Sequence, residues 1–194
     1  MGKLKEKVEK RHIISGKKGI LLLNIFSRLV VGLGLIALVC SIVGTTVGIL
    51  KLQDADTKYM ELIESEDFEF SLSSIGFTKG EFIEYIEEDD TVDAVLADYV
   101  VCGIAFVMDL LILLAVYMCA WVVTGSIKQD EDKPFKKENL GALKKTATVL
   151  LVLYVLQILF GIMFGTVVTD ISYLFVVSVF LYLFDAGYKL QIEK

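Results

Sequence analysis

Asp109 is the one ionisable side chain set well inside a long apolar run of this 194-residue chain. A carboxyl group in a hydrocarbon layer is costly and normally faces the protein interior or water, so such a position is a functional candidate by default. Helical rise gives its depth. Counted from Tyr99, Asp109 lies about 15 Å in, while Gln157, counted from Thr166, and Ser178, counted from Asp170, lie about 13 Å and about 12 Å in. Asp109, Gln157 and Ser178 could therefore meet at one level of a bundle, and the functional reading of that level is a protonation-sensitive intramembrane polar site. The reading preferred on the sequence is a protonated Asp hydrogen-bonded for helix packing, since one acid without a second charge is thin support for transport. Arg28, about 33 Å below Leu50, is too far along the axis to be the counter-ion.

Other chemistry finds few residues to work with. His12 is the only histidine, so a histidine-based catalytic or metal constellation cannot be assembled. Cys40, Cys102 and Cys119 all fall in apolar stretches without CxxC or CxxH spacing, which predicts buried, inert thiols. The run Glu87-Glu88-Asp89-Asp90 lacks the spaced ligands and turn glycine of a calcium loop and reads as a solvated acidic face. There is no P-loop, dinucleotide fingerprint, nucleophile elbow or zinc motif. No cofactor, no metal and no enzymatic activity are expected.

The elements that must position Asp109 follow from composition. With 55% apolar residues and a mean hydropathy of +0.66, the chain lies outside the range of soluble globular enzymes and points to a bilayer. Residues 29–50 carry no charge and reach about 33 Å as a helix, enough for a hydrocarbon core of about 30 Å. Further spans are expected at 99–127, interrupted only by Asp109, at 146–166 and at 171–190. The short polar turn Gly165–Asp170 makes the last two an antiparallel hairpin. The first run is longer than a signal-peptide core and is read as an uncleaved span. The expected fold is all-α: an integral membrane four-helix bundle in one domain.

Charge sets the orientation. Residues 1–28 hold eight basic and two acidic residues, and 128–145 hold six lysines and four acids, whereas 51–98 hold fifteen acids and three lysines, a net of −12. Lys and Arg mark cytoplasmic loops, so the N-terminus, the 128–145 loop and the 191–194 tail are expected in the cytoplasm and the acidic 51–98 segment outside. Trp121 and Tyr188 are expected at the inner interface, Tyr99 and Tyr173 at the outer, with Arg28 as an interfacial anchor. The acidic segment is too long for a turn. Apolar residues at helical spacing (Tyr59, Leu62 and Ile63, then Phe82, Ile83, Tyr85 and Ile86) predict two short amphipathic helices forming a small extracytoplasmic cap. Thr78 and Glu81 match a capping box for the second. In the second loop a helix is expected from Lys136, with Leu140, Leu143 and Ala147 on one face, running into the third span without a break. Gly44 and Gly48 form a GxxxG pair suited to close helix packing, within the bundle or between copies.

The segment from Lys133 through Pro134, Phe135, Glu138 and Asn139, followed by two apolar spans and then Phe184, Gly187, Leu190 and Gln191, resembles the YoaS-like family of small bacterial membrane proteins, a catalogued domain of unknown function. The likeness covers about residues 128–192; the first spans agree in layout only. Lys136 stands where the family usually has Thr, a helix-capping residue, and the acidic loop does not align. The resemblance implies four spans, a bacterial plasma membrane, no catalytic residues, and an accessory or regulatory role beside a helix-turn-helix regulator. The quoted residues can equally be structural, with Pro134 and Phe135 setting the start of the third helix and Gly187 permitting close packing.

Three functions fit this layout. The first is a regulatory or signal-sensing protein that binds a partner, whether a cytoplasmic regulator or another membrane protein. The second is an immunity or resistance protein that draws cationic peptides to the acidic face. The third is a small transporter using Asp109. The basic residues flank spans and are interleaved with acids, which suits anionic lipid rather than nucleic acid. Oligomeric state is not encoded in any feature of the sequence.

Overall fold

The computed structural model describes residues 2–55, 59–86, 91–129, 135–164 and 172–192, and everything below concerns these. They are helical with no strand. The helices are α1 (Gly2–Ala55), α2 (Tyr59–Glu64), α3 (Glu66–Ser74), α4 (Lys79–Tyr85), α5 (Val92–Gln129), α6 (Lys137–Phe164) and α7 (Ser172–Ile192). Four are long and apolar enough to cross a membrane, over Lys18–Ala55, Val92–Ile127, Lys137–Phe164 and Ser172–Ile192. The chain is a multi-pass membrane protein. Large apolar side chains such as Leu22, Ile36, Ile162 and Phe175 stand exposed along these helices, as a surface solvated by lipid rather than water requires.

Each long helix hides a narrow seam at alternating three- and four-residue spacing, the repeat of helices packed in a bundle. On α1 the seam carries Asn24, Ser27, Val31, Ser41, Gly48 and Leu52, mostly small or polar. On α6 it carries Leu143, Leu150, Tyr154 and Gln157, and on α7 Val177 and Phe184. Without a hydrophobic drive between helices in lipid, small residues that let backbones approach and polar residues that bond across helices take its place.

The chain divides into two units, one of residues 1–32, 114–152 and 170–194 and the other of 33–113 and 153–169. The second unit contains the cap, which has three helices where two were expected. Helix α3 was missed because Phe68 and Leu72, its two buried large residues, are surrounded by acids and by the exposed Phe70, which blurs the period. The cap has a core of its own: Leu52 from α1, Ile63 from α2, Phe68 and Leu72 from α3, Phe82 from α4, and Val95 and Tyr99 from α5. Each large side chain buried there contributes about 1.5–3 kcal/mol relative to exposure.

Local signals end these helices. Gly76, at φ 81, follows α3 in the left-handed region that glycine enters without strain. The Phe77 N–H donates to the Leu72 carbonyl and the Gly76 N–H to the Ser73 carbonyl, which is a Schellman closure. At the start of α4 the capping box is complete: Thr78 accepts from the Glu81 N–H, and the Glu81 carboxylate accepts from the Thr78 N–H at 2.8 Å. Those donors, the Thr78 hydroxyl first and its N–H second, hold the Glu81 carboxyl below its ordinary range. Thr91 caps α5 by accepting from the Ala94 N–H at 3.3 Å.

Two expectations are corrected. Tyr99 is fully buried rather than an interfacial ring: Phe68 and Phe82 pack on it at 5.6 and 6.0 Å, and its hydroxyl lies 3.0 Å from the Ser71 carbonyl and 3.2 Å from the Gly44 carbonyl. A sequence shows a tyrosine at the end of a span but not the cap folded over it. Cys40 is exposed, and only Cys102 and Cys119 are buried, because Cys40 lies off the α1 seam. Helix α1 is continuous on both sides of 29–50, so Arg28, at the edge of the charge-free run, lies within a longer helix. Its guanidinium sits 5.3 Å from the centre of the Trp121 ring, a cation–π contact. Helix α6 begins at Lys137 and runs unbroken into the third span, with Leu140 and Leu143 buried. Pro134, the Glu87–Asp90 run and the Gly165–Asp170 turn lie outside the described residues.

Candidate functional site

The polar level expected in the membrane brings two of its three residues together. Helix α5 carries Asp109 and α6 carries Gln157, whose side-chain N–H donates to Asp109 Oδ1 at 2.7 Å. Gln157 is 5% exposed and its Oε1 is buried with no hydrogen-bond partner among the described residues. Asp109 itself is exposed. Ser178 is exposed as well, and its hydroxyl donates to the Leu174 carbonyl of its own helix at 2.8 Å. That is the usual resting bond of a serine inside a helix, where no water competes for the hydroxyl.

Phe135, Phe184, Gly187 and Gln191 form a second cluster, in the first unit. The Phe135 ring packs edge-on against Phe184, with centroids 5.1 Å apart. Gln191 clasps the Phe135 backbone from both sides: its Oε1 accepts from the Phe135 N–H at 3.2 Å, and its Nε2 donates to the Phe135 carbonyl at 3.4 Å. A primary amide carries N–H donors beside an acceptor oxygen, so one glutamine serves both the N–H and the carbonyl of the same residue. A Cβ at Gly187 would lie 2.6–2.8 Å from three carbons of the Phe135 ring, which leaves glycine the residue that fits. Asn139 donates to the Ser126 hydroxyl, tying α6 to α5. Glu138 and Leu190 are exposed and outside the latch. Beside it, Asp185 pairs with Lys189 at 2.8 Å and reaches Lys144 at 4.0 Å.

Gly44 and Gly48 face into their own chain. A Cβ at Gly44 would overlap the Ser74 side chain of the cap, and one at Gly48 would overlap the Tyr99 ring. The pair is occupied by intramolecular contacts, so α1 carries the cap rather than presenting this face to another copy.

Sequence reasoning missed a buried clasp in the first unit, where Asn24 donates to Thr124 Oγ1 at 2.9 Å and the Thr124 hydroxyl donates to the Ala120 carbonyl at 2.8 Å. The signal was present: Asn24, Ser27 and Ser41 sit on one α1 stripe within apolar sequence. The third region is the cap surface, where Asp54, Glu61, Glu64, Glu66, Glu69, Glu81, Glu84 and Asp93 are all exposed around the apolar core.

Compared with known proteins, the chain matches no protein-family model, no curated protein and no solved structure.

Proposed function

We propose that the chain is a non-enzymatic accessory or signal-sensing protein of a bacterial plasma membrane, and that it receives a cationic partner on its cap. The observation that supports this reading is the pairing of an apolar cap core with an acidic exterior. Residues 51–98 carry a net charge of −12, and Asp54, Glu61, Glu64, Glu66, Glu69, Glu81, Glu84 and Asp93 are all exposed. Exposed charge of one sign sets up a field that attracts and orients a counter-charged partner. By the distribution of Lys and Arg, the cap lies outside and both termini lie in the cytoplasm. Following the resemblance, a helix-turn-helix regulator is the proposed partner of the basic cytoplasmic face.

The protein reconstituted in vesicles of neutral lipid, probed with a lysine-rich peptide, tests this reading. Binding should weaken as salt rises from about 50 to about 500 mM, because exposed charges are screened within about a Debye length. It should disappear when Glu61, Glu64, Glu66, Glu69 and Glu84 are all changed to Gln. Equal binding by that variant refutes the reading. The acidic surface also suits an immunity role, and growth protection against a cationic peptide that is lost in the same variant would select that function over signalling.

A further inference from the structure

Asp109 stands out by where it lies on α5. It falls on the stripe that carries Val95, Tyr99, Cys102 and Val116 at three-, four- and seven-residue spacing, and all four of those are buried. Among these five positions Asp109 is the exposed one. Its depth, about 15 Å from Tyr99, is near the middle of a hydrocarbon core of about 30 Å. A carboxylate at that depth faces a polar interior or water rather than lipid tails.

Gln157 supplies the second half of the argument. Its N–H holds one carboxylate oxygen at 2.7 Å, and its own carbonyl oxygen is buried without a partner. Buried polar atoms in native proteins are nearly always bonded, and an exception calls for a ligand or a role. Leucine would fit the apolar seam of α6 at no such cost. The terminal torsion of a glutamine is soft and roughly two-fold, so turning the amide brings its carbonyl beside Asp109 with no movement of the backbone. Carboxylate and amide oxygen together are hard ligands, and hard ligands suit alkali and alkaline-earth cations rather than soft metals. One carboxylate balances one positive charge.

We propose that Asp109 and Gln157 form an intramembrane binding site for a monovalent alkali cation. The amide N–H of Gln157 occupies the carboxylate when the site is empty, and its carbonyl takes part in coordination when the cation arrives. Other titratable groups in the spanning parts of this unit are Cys40 on α1, Tyr99 and Cys102 on α5 and Tyr154 on α6, with Lys51 and Asp98 at the cap end. The site is independent of the partner-binding role given to the cap.

The test is thermal unfolding of the full chain in nanodiscs of neutral lipid, with Na⁺, K⁺ or Li⁺ exchanged for choline at constant ionic strength. A cation bound only by the folded state raises Tm by about 3–6 °C at tenfold its Kd. One of the three cations should produce this rise in the wild type, the rise should vanish in Asp109→Asn, and it should need more cation in Gln157→Leu. No rise with any of them, or the same rise in Asp109→Asn, overturns the proposal; the latter assigns the effect to the cap acids. If Asp109→Asn does not fold, labelling of wild-type Asp109 by a hydrophobic carbodiimide, read by mass spectrometry, decides. Labelling slowed by the cation but not by choline supports the site, and labelling indifferent to cation overturns it.

Discussion

Gly187→Ala, made alone and with Phe135→Ala, separates a packed latch from mere proximity. In the wild type a Cβ at 187 would stand 2.6–2.8 Å from three ring carbons of Phe135, whereas carbon atoms in contact prefer about 3.5–4.0 Å. The ring must therefore retreat by roughly 1 Å. Phe184, from the same helix as Gly187, packs edge-on against it, and Gln191 grips its backbone through two hydrogen bonds. Overpacking against such a neighbour costs about 1–3 kcal/mol, and about 1 kcal/mol of that is returned by the better helix propensity of alanine. Gly187→Ala should then destabilise the wild type by up to about 2 kcal/mol. In the Phe135→Ala background the obstacle is gone, and the same substitution should be neutral or stabilising by up to about 1 kcal/mol. The coupling between the two positions is thus about 1–3 kcal/mol. Reversible unfolding in mixed detergent micelles, followed by the fluorescence of the single Trp121, measures all four corners of the cycle. Additivity within about 0.5 kcal/mol would refute the reasoning.

Further perturbations follow from the same geometry. Gly48→Ala, aimed at the Tyr99 ring, should cost about 1–3 kcal/mol, while Gly32→Ala, which meets nothing within 4 Å, should leave the unfolding midpoint unchanged or slightly raised. Phe82→Ala removes a fully buried ring from the cap core and should cost about 3–5 kcal/mol, read as loss of protease resistance in 59–86 before the long helices unfold. Thr78→Ala should speed amide exchange in α4 on the order of fivefold, the usual effect of a lost cap, without changing exchange in α6. The contribution of the capping box to α4 should also depend on pH. Glu81 is held below its unfolded value by Thr78, so the contribution is full above the ordinary carboxylate range and is lost as pH falls through the lowered value; exchange in α4 at acid pH should converge with that of Thr78→Ala.

The spans were legible in the sequence because charge-free runs of sufficient length have one physical outcome in a bilayer. The α4 capping box was legible because its donors and acceptors lie within four residues. The pairing of Asp109 with Gln157 lay within reach of depth arithmetic, since helical rise turns residue number into height. Ser178 shows its limit: height says nothing of azimuth, and a serine in a helix has a local carbonyl to bond. What stayed hidden depended on contacts between distant segments. Nothing in the neighbourhood of Tyr99 announces that three cap helices close over it, and Gln191 meets Phe135 across 56 positions of sequence. The joint role of Phe135, Phe184, Gly187 and Gln191 became visible only as geometry.

Photo-crosslinking in native membranes from a probe placed at Glu69, an exposed position on α3, tests most directly whether the cap receives a partner. With the other cap acids intact, the account predicts one discrete crosslinked species, absent when Glu61, Glu64, Glu66 and Glu84 are changed to Gln and weakened at high salt. The same species at the same yield from the neutralised cap would contradict it.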